Sequence, residues 1–230
     1  MGLSIKKLKK KFPIGHFLFR KSYSQEGEDM IYRSFFERKH YKGFYVDVGA
    51  HHPYRFSNTL HFYKNGWRGI NIEPTPGATR LFNIFRKRDI NLNIGITAQA
   101  GTLPFYCFAE PALNSFSLEY SRSRSAATTQ YPITKTIQVN TLPLSDVLDT
   151  YLPMGQVIDF LSIDAEGLDL EVLQSNNWNK YIPLFIMVEA CLDIRTVTDA
   201  EIYQYMASLN YQLVAMTART LFFKLNKHNS

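Results

Sequence analysis

Short apolar segments alternate along this chain with longer amphipathic ones. Five of the apolar segments predict buried strands, at 43–49, 67–72, 90–96, 157–163 and 184–188. Buried strands that alternate with helices are typical of a parallel sheet with helices on both faces. The pattern therefore predicts a doubly wound α/β domain.

The segments between these strands carry helix signals. The first opens with Glu26, Glu28 and Asp29, and acids there suit the positive end of a helix dipole. The second ends at Asn65 and Gly66, which is a common helix C-terminus. The predicted helices span 25–38, 57–64, 77–86, 143–152, 168–175 and 199–209.

The middle and the end of the chain depart from this alternation. Residues 109–132 are polar and predict a long connection, either a mobile surface loop or a binding loop. Its Ser-Arg-Ser-Arg-Ser run at 121–125 fits either a solvated loop or a contact with a phosphorylated or acidic substrate. The remaining predicted strands are 102–108, 136–139 and an antiparallel C-terminal hairpin of 211–216 and 221–225.

Composition and charge divide the chain into two parts. The 230 residues are 45% hydrophobic and 20% charged, which is a globular composition, and no run of apolar residues is long enough to cross a membrane. Seven of the 26 basic residues and no acid lie in residues 1–21, so residues 22–230 are close to neutral. We predict a basic N-terminal arm at 1–21 and one domain over 22–230.

The arm and the cysteines bear on location. The arm is either a solvated tail or a contact with a membrane surface or an acidic partner. It lacks the apolar run and cleavage site of a secretory signal. Cys107 and Cys191 lie in apolar segments without metal-ligand spacing, which favours buried free thiols in a reducing compartment. We expect a cytoplasmic protein, with the arm able to hold it at the inner face of the membrane.

Polar residues or glycine follow the predicted strands, where a doubly wound sheet binds its ligands. These residues are Asp47, Gly49, Glu73, Asn93, Asp164, Glu166 and Glu189. Glu73 lies at the end of the second strand, where a carboxylate can bind the two hydroxyls of an adenosine ribose. The turn after the first strand has one glycine and then Pro53, which lacks a backbone donor for phosphate. The turn therefore favours a nucleoside without phosphates, and S-adenosylmethionine is such a ligand.

Several blocks of the sequence resemble one known family. They are Tyr-Ser-Gln-Glu-Gly-Glu-Asp at 23–29, Tyr-Val-Asp-Val-Gly-Ala-His-His-Pro at 45–53, Ser-Asn-Thr at 57–59, Gly-Ile-Asn-Ile-Glu-Pro at 69–74 and Ile-Asp-Phe-Leu-Ser-Ile-Asp-Ala-Glu-Gly at 158–167. In order and spacing these blocks, over residues 22–190, resemble the FkbM family of methyltransferases. The resemblance implies a seven-stranded, Rossmann-like class I methyltransferase sheet. It also implies S-adenosylmethionine as cofactor and O-methylation of sugars or other hydroxylated metabolites.

The resemblance also implies a set of cofactor-binding residues. Asp47 and Gly49 would line the methionine side, Glu73 would hold the ribose, and Asn93 would lie near the adenine. Many members have Asn and a second Gly in the first turn, where this chain has His51 and Pro53. The full set predicted to bind cofactor is Gln25, Asp47, Gly49, Ala50, His51, Ser57, Asn58, Glu73, Pro74, Asn93 and Asp164.

Methyl transfer to a hydroxyl needs a base or a metal ion, because a protonated alcohol is a poor nucleophile. Asp164 and Glu189 follow two strands and would act as a base or bind a divalent cation, Mg²⁺ or Mn²⁺, through oxygen ligands. Asp164 could instead cap the helix that follows it. His52 is the third candidate for the base, with a cofactor or surface contact as its alternative.

The sequence therefore predicts an S-adenosylmethionine-dependent O-methyltransferase that acts on a sugar, a glycan or another small metabolite. The alternative is a protein of a different functional class, a noncatalytic nucleoside-binding or scaffold module that keeps the fold. Methylation of a nucleic acid through the basic arm is a third interpretation. The near-neutral body argues against it, because such enzymes need a basic face as well as a tail.

Overall fold

Ten strands and seven helices build the part of the chain that the computed structural model describes, residues 20–36, 41–127 and 130–226. The strands are β1 (Phe44–Val48), β2 (Arg68–Ile72), β3 (Ile90–Leu92), β4 (Gly95–Ile96), β5 (Gly101–Phe108), β6 (Ile133–Leu142), β7 (Phe160–Ile163), β8 (Phe185–Glu189), β9 (Tyr211–Met216) and β10 (Thr220–Leu225). The helices are α1 (Glu28–Phe36), α2 (Leu60–Lys64), α3 (Ala78–Phe85), α4 (Leu118–Ala127), α5 (Leu144–Tyr151), α6 (Asp169–Gln174) and α7 (Glu201–Ser208). Residues 1–19 of the predicted basic arm lie outside the described residues.

Seven of the strands form one sheet in the order β3-β2-β1-β7-β8-β10-β9. The first five are parallel, and β10 pairs antiparallel with both β8 and β9. The strand order reverses between β1 and β7, which is the switch point at which such sheets bind ligands. The predicted doubly wound sheet of seven strands and its C-terminal hairpin are confirmed.

The two faces of the sheet bury different side chains because successive residues of a strand point to opposite faces. One face carries aliphatic residues such as Val46, Ile70 and Leu161 in the main core. The other carries Tyr45 and Phe160, which belong to a second core with aromatic residues of the neighbouring helices. Both faces are covered, which is why the strands read as continuous apolar runs in the sequence.

A second, smaller sheet was not predicted. The predicted strand at 90–96 breaks at Asn93, and its two halves join different sheets as β3 and β4. β4 pairs with β6, and β6 pairs along its length with β5 to complete a three-stranded sheet. This unit lies in sequence between β3 and α5, and its loop residues form one wall of the cleft described below.

Two further predictions were wrong. The segment 109–132 is not a plain loop, because it contains α4, a helix of mixed Ser, Arg and Ala that has no apolar stripe to reveal it in the sequence. Cys107 is buried as predicted, but Cys191 is exposed, since it follows the end of β8 instead of lying within a strand. Within the described part of the chain, every helix is too short or too polar to span a lipid bilayer.

Candidate active site

The parallel strands bring their carboxyl ends to one level. Val48 of β1 lies opposite Ile72 of β2 and Ile163 of β7, and Ile163 lies opposite Val188 of β8. The residues that follow therefore form a row along one edge of the sheet. That row is Gly49, Glu73, Asp164 and Glu189.

A cleft opens along this edge, and all four residues of the row line it. The loop between β5 and α4 forms the opposite wall with Pro111, Asn114 and Phe116. This wall is fixed to the sheet by two hydrogen bonds: the Asn114 amide donates to the Thr75 hydroxyl at 3.0 Å, and the Ser115 hydroxyl donates to the backbone oxygen of Glu166 at 2.7 Å. Predicted site residues in the lining are Gln25, Asp47, Gly49, Ala50, His51, Asn58, Glu73, Pro74, Asp164 and Glu189.

The turn after β1 is built from backbone hydrogen bonds. Gly49 has φ +77°, and the N–H groups of Gly49 and Ala50 both donate to the carbonyl of Ile72, at 3.0 and 3.1 Å. The N–H of His51 donates to the Glu73 carboxylate at 2.7 Å. Three consecutive N–H groups are thus used inside the protein, and Pro53 has none. A phosphate would need such groups to point at it, so this turn does not form a phosphate cradle.

Glu73 is held in one orientation at the end of β2. One carboxylate oxygen accepts the N–H of His51, and the other accepts the N–H of Thr75 at 2.8 Å. The residue is 5% exposed, and its burial raises the pKa of the carboxyl group. The Asn93 amide braces the same turn by donating to the backbone oxygens of Glu73 and Thr75. Asn93 itself is outside the lining residues.

Asp47 lies in β1, two residues before the turn at Gly49, and its side chain is buried. Its carboxylate accepts a hydrogen bond from the Thr59 hydroxyl at 3.0 Å, and burial raises its pKa to about 6. The Asn58 amide donates to the Ser162 hydroxyl at 3.3 Å, which joins the segment before α2 to β7. Ser57 is buried away from the cleft, where its hydroxyl accepts from the Leu60 N–H and the Arg86 guanidinium.

Three carboxyl groups meet beside the switch point. Carboxylate oxygens of Asp164, Glu166 and Glu189 lie within 4.8 Å of one another. Burial, followed by the charge of Glu189, raises the pKa of Asp164 well above its usual range, and the same two causes raise the pKa of Glu166 to about 8. One oxygen of Asp164, Oδ1, is buried and has no hydrogen-bond partner within the described structure. The cluster is thus an acceptor of protons or cations.

Helix α4 covers this cluster. The hydroxyl of Tyr120 donates to the Glu166 carboxylate, and the Arg124 guanidinium lies over the Tyr120 ring, 5.0 Å from its centroid. Glu166 has φ +48°, a left-handed conformation that is uncommon for a residue with a side chain. Tyr120 was not predicted as a site residue, because the helix that carries it was not recognised in the sequence, and Arg124 was considered only as part of the run at 121–125.

The alternative interpretation of Asp164 as a helix cap is not what the structure shows. Asp169 accepts the N–H groups of Ala165 and Gly167, at 2.8 and 3.1 Å, and it holds the turn that leads into α6. The side chain of Asp164 is left facing the cleft with Glu189.

His52, the third candidate base, lies outside the lining residues of the cleft. Its Nδ1 accepts the backbone N–H groups of Tyr54 and Arg55, each at 3.0 Å. Burial and the charge of Arg55 lower its pKa. The structure thus gives His52 a role in shaping the turn that follows β1.

The seven-stranded sheet with its antiparallel hairpin, and the cleft at its switch point, are those of a Rossmann-like fold. The family model described as the methyltransferase FkbM domain matches residues 47–213, which include every strand of the parallel sheet from Asp47 of β1 onwards. The chain belongs to this family, so the resemblance drawn from the sequence is confirmed. A search of the curated proteins found no match.

Proposed function

We propose that the protein binds S-adenosylmethionine in the cleft and transfers its methyl group to a hydroxyl of a sugar, a glycan or another small metabolite. The observation that carries the proposal is the orientation of Glu73. Two backbone N–H groups hold its carboxylate at the cleft, at the position where this class of fold binds a ribose.

The donors and acceptors around Glu73 fit a nucleoside. The two carboxylate oxygens have four acceptor positions between them and use three of them, on the N–H groups of His51 and Thr75 and on the Thr75 hydroxyl, which leaves one position for a ribose hydroxyl. The turn after β1 offers no phosphate cradle, as shown above, which argues against a dinucleotide. Pro74, Ile94 and Phe116 add apolar surface to the cleft, which suits a flat adenine ring.

The carboxyl cluster supplies the proton acceptor for the reaction. S-adenosylmethionine, when bound, supplies an activated methyl group that needs only an in-line oxygen nucleophile. Asp164 and Glu189 line the cleft, and burial, followed by the charge of Glu189, raises the pKa of Asp164. A carboxylate with a raised pKa is, in its ionised form, a stronger base than a free carboxylate, so it can take the proton of an acceptor hydroxyl. Tyr120 keeps Glu166 turned toward the same pair by its hydrogen bond.

A divalent cation is the second way in which the same residues can activate a hydroxyl. Three carboxylate oxygens within 4.8 Å match the hard oxygen ligands that Mg²⁺ and Mn²⁺ take. The acidic cluster is the only support for this role among the described residues. Treatment with a chelator distinguishes this role from direct proton transfer.

The experiment that tests the cofactor is thermal unfolding of the purified chain with S-adenosylmethionine, with NAD as control. At a ligand concentration of ~100 times the dissociation constant, binding adds about 2.7 kcal/mol to the stability. For a chain of this length that corresponds to a rise in Tm of about 5–11 °C. We expect the rise with S-adenosylmethionine alone.

Two other results of the unfolding experiment would contradict the proposal. A rise with NAD, or with neither ligand, would overturn the cofactor assignment. A rise with S-adenosylmethionine but no release of S-adenosylhomocysteine with any hydroxylated acceptor would favour the noncatalytic nucleoside-binding module.

A further inference from the structure

Two arginines from different parts of the fold stand beside the carboxyl cluster. Arg219 lies in the turn between β9 and β10 and lines the cleft. Its backbone oxygen accepts the N–H of Ala190 at 2.6 Å, which ties the turn to the residue after Glu189. Arg124 reaches the cluster from α4, on the opposite side, across the ring of Tyr120.

Both arginines are connected to the same carboxyl cluster by contacts. Thr220, next to Arg219, pairs with Glu189 across β10 and β8, and Tyr120, whose ring lies under the Arg124 guanidinium, donates its hydroxyl hydrogen bond to Glu166. Carboxylate oxygens of Glu166 and Glu189 lie within 4.8 Å of each other, so the two arginines flank one cluster. The acids lie in the cleft, and the two positive charges lie at its edge.

Both arginines keep guanidinium N–H donors that their contacts within the described structure do not use. The Nε of Arg219 is 3.0 Å from a carboxylate oxygen of Glu26, and the side chain is 46% exposed. Arg124 is partly buried, lies over the Tyr120 ring, and interacts with the Tyr120 hydroxyl and the charge of Glu166. A guanidinium has five N–H donors, which is more than these contacts use, and its planar fork matches carboxylate and phosphate oxygens.

We infer that Arg124 and Arg219 bind an anionic group, a carboxylate or a phosphate, on the acceptor. The acceptor would thus be an acidic or phosphorylated hydroxy compound whose anion is held at the edge while its hydroxyl reaches Asp164 and Glu189. The inference rests on the proposed function, because it assigns the acceptor of that same site. Binding a charged group away from the reacting atom is a common means of orienting a substrate.

The Ser-Arg-Ser-Arg-Ser run supplies a matched control. Arg124 of this run is partly buried against the Tyr120 ring, whereas Arg122, two residues earlier on the same helix, is exposed. Of the two interpretations of the run, contact with an acidic or phosphorylated substrate thus applies to Arg124, and a solvated position applies to Arg122. Changing Arg122 removes the same charge from the same helix without touching the cleft.

The test is a calorimetric titration of inorganic phosphate into the protein saturated with S-adenosylhomocysteine. The bound product keeps its own carboxylate in place, so the phosphate reports a second anion site. We expect binding to the unchanged protein, weakened about tenfold or more in Arg124→Gln and in Arg219→Gln and retained in Arg122→Gln. Acetate in place of phosphate tells which of the two anions the site prefers.

Three results would overturn the inference: no phosphate or acetate binding by the unchanged protein, unchanged binding in both cleft variants, or equal loss in Arg122→Gln. The affinity for S-adenosylhomocysteine is measured first in every sample. If the unchanged protein does not bind S-adenosylhomocysteine, the proposed function fails. The phosphate titration is then carried out on the protein alone and still tests whether the two arginines bind an anion. If Arg219→Gln weakens that affinity instead, Arg219 binds the cofactor's carboxylate and the anion site does not include it.

Discussion

Gly49 and Asp164 touch backbone to backbone at the switch point of the sheet. The N–H of Asp164 donates to the carbonyl of Val48 at 3.0 Å, and a Cβ added at Gly49 would overlap the backbone oxygen of Asp164. Gly49 also has φ +77°, which residues with side chains rarely adopt. The turn after β1, which lines the cleft, and the turn that carries the carboxyl cluster are therefore packed against each other at this point.

We predict that Gly49→Ala lowers the free energy of unfolding by about 3 kcal/mol or more, because it adds a backbone overlap to the left-handed strain. Gly77→Ala is the control, since Gly77 has φ +82° but nothing within 4 Å of an added Cβ. The control should lose only about 1–2 kcal/mol, the cost of the left-handed conformation. Denaturant unfolding of both variants measures the difference, and equal losses would show that the contact with Asp164 is unimportant.

We predict that Glu73→Gln weakens S-adenosylmethionine binding about a hundredfold, the value of one or two hydrogen bonds to a charged group. An amide also has one oxygen where the native site needs two, so its NH₂ group must face the N–H of His51 or of Thr75. Isothermal titration checks the affinity, and Asp149→Asn, which removes an exposed carboxylate paired with Lys180, is the control. Native affinity in Glu73→Gln would remove the ribose assignment.

The parallel sheet could be predicted from the sequence because its inner strands are buried on both faces, and each strand reads as an apolar run that ends beside a polar residue or a glycine. The row of Gly49, Glu73, Asp164 and Glu189 followed from the same signal, since parallel strands end at one edge. The row could be predicted without knowing the strand order or the register, because locating the carboxyl end of each strand was enough.

The residues that close the cleft could not be predicted in the same way. Helix α4 has no apolar stripe, and its hydrogen bond to the cluster joins the Tyr120 hydroxyl to Glu166, 46 positions further along the chain. Likewise, Asp164 and Asp169 are both acids before or at the start of α6, and only the geometry shows that Asp169 holds the turn. Pairings between distant side chains leave no periodic trace in a single sequence.

The pH dependence of stability tests the environment of His51. Burial, followed by the charge of Arg55, lowers the pKa of its imidazole from 6.5 to about 4. As the pH falls through this range, the unfolded chain takes up the proton before the folded chain does, so His51 makes the fold less stable toward acid. Asn tolerates the φ of +51° at this position and does not titrate.

We therefore predict that His51→Asn becomes more stable relative to the unchanged protein as the pH is lowered from 6.5 toward 4. Denaturant unfolding of both proteins across that range measures the difference, which cancels the titration of the groups that do not interact with His51. Parallel curves would contradict the prediction, and they would mean that the imidazole is as accessible to protons as in the unfolded chain.

We predict that Asp164→Asn and Glu189→Gln lower turnover by about 10²–10⁴, the usual contribution of a general base, with little change in S-adenosylmethionine affinity. Turnover is measured as S-adenosylhomocysteine release with a panel of sugars, sugar acids and sugar phosphates. His52→Gln is the comparison, because His52 lies outside the cleft lining and should keep most of the activity. Equal loss of affinity and turnover would instead make the two acids part of the cofactor site.

The same assay, repeated after treatment with a chelator, decides how the acids act. Direct proton transfer by Asp164 or Glu189 predicts full turnover without added metal. A cation held by the three carboxylates predicts loss of turnover that Mg²⁺ or Mn²⁺ restores, and Glu166→Gln should then raise the metal concentration needed, because it removes one ligand. If turnover is unchanged by the chelator while Asp164→Asn is inactive, the carboxyl cluster is a base and no metal takes part.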